Sequence, residues 1–185
     1  TSPVVSVCTV DSYRPGTVGK PIRNVEVQIR DSDGRALERE IDGEIFIRGP
    51  GVMRGYHNRP EQTRAVLDEK GWFRTGDIGR IDADGFLSIT GRAKEMLIIG
   101  GENVFPREIE AALESHSAVS QAAVIGIPDG VRGEVPIAFV IPNKDVQVTA
   151  DELRNFARKS LASHKTPKRV EIREDASPVD WAFYF

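Results

Sequence analysis

Gly91-Arg92-Ala93-Lys94-Glu95-Met96-Leu97-Ile98-Ile99-Gly100-Gly101-Glu102-Asn103 divides the chain into two textures. Before it, short strands are punctuated by Gly, Pro and Asp. Val25, Val27 and Ile29 alternate with Glu26, Gln28 and Arg30, as a half-buried strand requires, and Asp31-Ser32-Asp33-Gly34 turns the chain. Glu44 to Arg48 reads as a second strand, stopped by Gly49-Pro50-Gly51, and Pro60 to Leu67 suits a short helix with proline at its first position. Asp82-Ala83-Asp84-Gly85 is a hairpin turn between two further strands. After Gly91 come an apolar strand over 96–99, a Gly-Gly loop, and a helix from Pro106 to about His116. Strands over 119–127 and 135–141 follow, then a helix opened by the capping-box spacing Thr149 to Glu152, and a last strand over 170–173. The expected class is α+β: a β-rich, distorted barrel-like unit over 1–91, then a small unit over 92–185 with a short sheet flanked by helices.

Composition narrows the function classes. The 185 residues are 39% hydrophobic and 29% charged, the balance of a globular chain, and the net charge of −3 offers no positive field to recruit nucleic acid. No apolar run approaches the length that spans a bilayer, and the start carries no basic or apolar leader, so the expected compartment is the cytoplasm. The single cysteine, Cys8, sits in a strand-like run and fits a reducing environment. His57, His116 and His164 lack metal-ligand spacing, and no metal site is assigned to them. The absence of an initiator Met marks the chain as an expected piece of something longer.

Local chemistry leaves alternatives open. Asp77, just after a glycine in Gly71-Trp72-Phe73-Arg74-Thr75-Gly76-Asp77, could accept both hydroxyls of a ribose diol or simply close an Asx turn. Arg92 and Lys94 could meet phosphate oxygens or only water. Gly100-Gly101 would let a thin or anionic ligand approach the backbone, but no phosphate-loop pattern is present. Arg158, Lys159, Lys165, Lys168 and Arg169 form a basic run that could contact phosphates or end a solvated helix. Residue chemistry alone stops at a ligand-binding α/β domain.

Taken in order, Gly43 to Pro50, Gly71 to Asp77, Gly91 to Met96, Gly100 to Glu110 and Gly133-Glu134-Val135-Pro136 resemble the adenylate-forming (AMP-binding) enzyme superfamily, acyl-CoA synthetase type, in its carboxy-terminal portion. The resemblance implies a ligase that joins a carboxylic acid, ATP and CoA through an acyl-adenylate, with a fatty acid as the default acid. It implies a nucleotide site at Asp77, Arg92 and Thr75, a hinge at Lys94, and CoA contacts at Gly100, Gly101, Glu102, His164 and Lys168, with Arg158 and Lys165 nearby. The magnesium ligand and phosphate loop of the family fall outside the matching segments. Where the family carries its adenylation lysine, this sequence reads Ser177 to Phe185, and no lysine follows Lys168. The chain alone is therefore expected to be inactive in adenylation; the alternative is a truncated, non-catalytic CoA- or AMP-binding or docking module. Self-association is expected through exposed sheet edges or the aromatic tail, Trp181, Phe183, Tyr184 and Phe185.

Overall fold

The computed structural model describes residues 3–173, so the aromatic tail lies outside the described residues. The chain forms two compact units, divided between Lys94 and Glu95.

In the first unit, β1 (Ser6–Val7) pairs antiparallel with β2 (Lys20–Pro21). Strands β3 (Glu26–Arg30), β4 (Gly43–Arg48), β5 (Phe73–Ile81) and β6 (Leu87–Arg92) form an antiparallel sheet in chain order, and α1 (Pro60–Val66) lies between β4 and β5. Alternation buries Ile29, Ile45, Ile47 and Leu87 on one face, where Val5, Val27 and Ile81 pack against them. The opposite face is held by charge on aromatic rings. The Arg30 guanidinium lies 4.3 Å from the Phe46 ring centre and 4.9 Å from that of Trp72, while Arg48 covers Trp72 at 4.6 Å and grips Glu26 with two hydrogen bonds of 2.9 and 2.7 Å. The expected α+β class holds, but the barrel-like curvature does not close. Among the described residues this sheet has four strands with β3 and β6 at its edges, about half the number that closes a small barrel.

In the second unit, β7 (Leu97–Ile99) and β8 (Glu102–Val104) form a tight hairpin, followed by α2 (Pro106–Glu114), β9 (Val119–Asp129), β10 (Gly133–Pro142), α3 (Ala150–Ser160) and β11 (Arg169–Ile172). The sheet runs β11-β10-β7-β8, with β9 paired along the length of β10. Strands β10 and β11 are parallel, which demands a crossover, and α3 provides it. Each helix begins as its sequence directs. Pro106 opens α2, where a missing N–H costs nothing, and Thr149 caps α3, its hydroxyl accepting from the Glu152 amide while the Glu152 carboxylate accepts from the Thr149 amide. Ile109 and Leu113 of α2, and Leu153 and Ala157 of α3, each four apart on one face, are fully buried against Val104, Ala138 and Val140. The Gly-Gly loop expected after β7 is instead the turn of a hairpin: Gly100 and Gly101 have φ of +61° and +86°, the left-handed pair that a two-residue β-turn needs. No helix among the described residues is long and apolar enough to cross a membrane.

Leu153→Ala empties a fully buried position where α3 meets the sheet. It is expected to cost about 2–5 kcal/mol, read from urea denaturation followed by far-ultraviolet circular dichroism.

Candidate functional site

The first cluster grows out of a bulge. Strands β4 and β5 pair Glu44 with Ile78 and then Phe46 with Arg74, so that Ile45 alone faces Thr75, Gly76 and Asp77. Gly76 takes φ +76°, a backbone angle that a side chain would strain. The Thr75 hydroxyl stitches the bulge shut: it donates to the Ile45 carbonyl at 2.8 Å and accepts the Asp77 amide at 3.0 Å. Asp77 stands opposite Arg92 on β6, and the Arg92 Nε lies 3.0 Å from Asp77 Oδ1. The arginine is 64% exposed and the aspartate 26%, so the pair is open to solvent. Thr75, Asp77 and Arg92 line a cleft of about 450 Å³ on the apolar face of the sheet, with Ile45, Phe73 and Ile89. Chemically this is an apolar shelf beside a carboxylate with acceptor capacity left over and a guanidinium with donors left over.

Lys94 is exposed and lies in a one-turn 3₁₀ segment, Ala93–Glu95, at the division between the units.

The second cluster lies wholly in the second unit. A cleft of about 460 Å³ is lined by Arg132, Arg154, Arg158 and Lys168, with Asp129 as the single carboxylate among the lining residues. Arg154 Nε is buried there without a hydrogen-bond partner. The Lys168 ammonium lies 2.8 Å from Asp129 Oδ2, while Asp129 Oδ1 accepts the Val131 and Arg132 amides, each at 3.0 Å. The Lys168 ammonium and the two amides together hold the Asp129 carboxyl down from its ordinary 3.8 to about 2. Gly100 reaches the same turn, its amide donating to the Arg132 carbonyl at 2.7 Å. Glu102 is the exposed first residue of β8.

Of the residues expected to meet CoA, Arg158 and Lys168 thus share one cleft, and Gly100 touches the turn that borders it. His164 does not line that cleft, and its Nε2 is buried without a hydrogen-bond partner. Lys165 is engaged elsewhere, its ammonium 2.7 and 2.8 Å from the two carboxylate oxygens of Glu108 on α2. Asp129, Arg132 and Arg154 were absent from the sequence expectation. Arg154 and Arg158 are four apart on a helix, a spacing that places both on one face and could have drawn attention to the first from the second. Nothing in the sequence pairs Asp129 with Lys168, thirty-nine positions away.

A carboxyl whose folded-state value is depressed contributes stability that is fully present above its unfolded value and is lost as pH falls through the folded one. For Asp129 that window runs from about pH 4 down to about pH 2. The wild-type chain is therefore expected to exceed Asp129→Asn in urea midpoint at neutral pH, with the gap closing between pH 4 and 2.

Two family profiles match the chain and together cover more than half of it: AMP-binding enzyme over residues 1–57, and AMP-binding enzyme C-terminal domain over 108–179. A long-chain-fatty-acid–CoA ligase of Yersinia pestis is 42% identical over 175 residues, which is 94% of this chain and 31% of that protein. Among solved structures, ATP-bound MatB from Rhodopseudomonas palustris superposes with a TM-score of 0.83 at 36% identity, over 87% of this chain and 32% of that one. The o-succinylbenzoate CoA synthetase of Bacillus subtilis, in complex with its acyl-adenylate intermediate, gives 0.79 at 38% identity, over 86% and 32%. The chain spans about a third of the length of the relatives it matches. Its curated relatives are CoA ligases, and the chain belongs to the adenylate-forming, AMP-binding enzyme family.

Proposed function

We propose that this chain supplies the carboxy-terminal part of an ATP-dependent acyl-CoA ligase. In the reaction, a carboxylate oxygen attacks the α-phosphate of ATP and pyrophosphate leaves; the CoA thiolate then attacks the acyl carbonyl and AMP leaves. In this reading Asp77 accepts the ribose hydroxyls, Arg92 donates toward the ribose and phosphate side, and Thr75 holds both strands in place to let them do so. Lys94 is the hinge, where a few dihedrals absorb the rotation between the two half-reactions. Gly100, Gly101, Glu102, His164 and Lys168 belong to the CoA side, with the arginine-lined cleft as the place for phosphate oxygens. The observation that carries the reading is the Thr75–Asp77–Arg92 arrangement, in which two complementary charges with spare hydrogen-bonding capacity stand at the end of an apolar shelf. The names of the relatives span long-chain fatty acids, oxalate and o-succinylbenzoate, so the proposed substrate class is no narrower than a carboxylic acid.

The 185 residues are proposed to be inactive by themselves. Electrostatic stabilisation of the transferring phosphoryl group supplies much of the rate enhancement in such chemistry, and no lysine follows Lys168 to contribute to it. A second reading, a non-catalytic module that binds CoA or AMP, draws on one observation: every residue lining the cationic cleft comes from a single unit.

Calorimetric titration with AMP tests the nucleotide assignment. Saturable binding is expected, weakened about tenfold or more in Asp77→Ala, as for loss of a hydrogen bond to a charged group. Equal affinity of the two proteins overturns the role of Asp77. ATP–pyrophosphate exchange catalysed by the 185-residue chain overturns the proposed inactivity.

A further inference from the structure

Lys168 is held at both ends. Its backbone amide donates to the Pro136 carbonyl on β10 at 2.8 Å, which fixes where the side chain starts, and its ammonium meets Asp129 Oδ2 at 2.8 Å, which fixes where it finishes. The lysine is 60% exposed, whereas the Asp129 side chain is 16% exposed, so the carboxylate is the anchored partner and the ammonium the one free to move without it. Asp129 is itself immobilised: its other oxygen takes the amides of Val131 and Arg132 and so shapes the turn between β9 and β10. Through Arg132 the same turn receives the Gly100 amide. One carboxylate therefore sets the position of the ammonium, of the Arg132 backbone, and of the contact to the Gly-Gly hairpin.

We propose that Asp129 is a positioning residue for the CoA half-site, one that preorganises the Lys168 ammonium at the rim of the arginine-lined cleft. The inference rests on the reading that CoA phosphates meet this cleft. An ammonium has three N–H donors, and Asp129 occupies one, leaving two for an incoming oxygen. Four cationic side chains against one carboxylate leave the cleft positive, so Asp129 does not cancel the attraction for an anion. What it removes is the rotamer freedom of a long side chain, which binding would otherwise have to freeze. Its depressed proton affinity keeps it ionised, and able to do this, at neutral pH.

The two roles of Asp129 separate by substitution. In Asp129→Asn the amide oxygen can still accept the Val131 and Arg132 amides, as asparagine does in Asx turns, while the charge that holds Lys168 is gone. Asp129→Ser, whose hydroxyl can serve the same amides, is a second variant should asparagine disturb the turn. CoA is titrated calorimetrically into the full 185-residue chain, its single variants and the double variant Asp129→Asn/Lys168→Ala, with circular dichroism confirming the fold of each. Lys168→Ala is expected to weaken CoA binding about tenfold or more. Asp129→Asn is expected to weaken it roughly threefold to tenfold. The double variant is expected to bind no more weakly than Lys168→Ala, because Asp129 acts only through the lysine. Additive losses would assign Asp129 to the fold and overturn the inference. Equal or tighter binding by Asp129→Asn, with Lys168→Ala still weakened, would make Asp129 a repulsive neighbour of the anion and overturn the inference alone. No saturable binding by the wild-type chain, or none lost in Lys168→Ala, overturns the CoA reading and the inference with it.

Discussion

A break in strand register governs the polar end of the first unit. Where Ile45 faces three residues of β5, regular pairing fails, and Ile45 is almost fully buried. A buried carbonyl left unpaired costs about 1–3 kcal/mol, so a hydroxyl that reaches the carbonyl at the bulge stabilises the break. The Thr75 hydroxyl does so, and because it also accepts the Asp77 amide, the repair and the presentation of Asp77 are one event. The register of β5 against β6 then places Arg92 across from Asp77. A stabilising contact of the sheet thereby leaves an acid and a base side by side, both with hydrogen-bonding capacity to spare.

The two clusters solve different electrostatic problems. Asp77 and Arg92 nearly balance one another in charge, as suits a neutral diol beside a single phosphate. The cleft of the second unit is unbalanced, with Arg132, Arg154, Arg158 and Lys168 against Asp129, and like charges so close repel unless an anion joins them. The unpartnered Nε of Arg154 is the local sign of that imbalance. A site of this kind favours several negative charges on one ligand.

Much of the fold was legible because it is written in short-range signals. Alternation in Val25 to Ile29, proline at the start of α1 and α2, and the Thr149–Glu152 capping box each act within a few residues, and each element formed where those signals lie. The hairpin β7–β8 was not legible, since Gly100-Gly101 marks a reversal equally well in a loop, and Glu102-Asn103-Val104 carries only one apolar residue to betray a strand. The bulge at Gly76 was hidden for a different reason: it exists only relative to the partner strand, and pairing register is a tertiary property. The same holds for Asp129 and Lys168. Their approach depends on β11 lying parallel to β10 with Arg169 beside Ile137, a register set by the crossover through α3 and by the core beneath it.

Each cluster is supported by the hydrophobic core of its own unit: Ile29, Ile45, Ile47 and Leu87 for the first, and Ile109, Leu113, Leu153 and their neighbours for the second. Neither set of polar side chains needs a partner from the other unit to hold its geometry. Packed interiors resist continuous deformation, so motion concentrates where packing is thin. The segment at Lys94 is exposed and one turn long, which suits the hinge proposed for it. A rotation there would leave the Thr75–Asp77–Arg92 and Asp129–Lys168 geometries intact, because no hydrogen bond that defines either one crosses the division. On the proposed reading, two half-sites each preorganised within its own unit suit a two-step ligation: the chemistry of each step can be built in permanently, and only their order has to be switched.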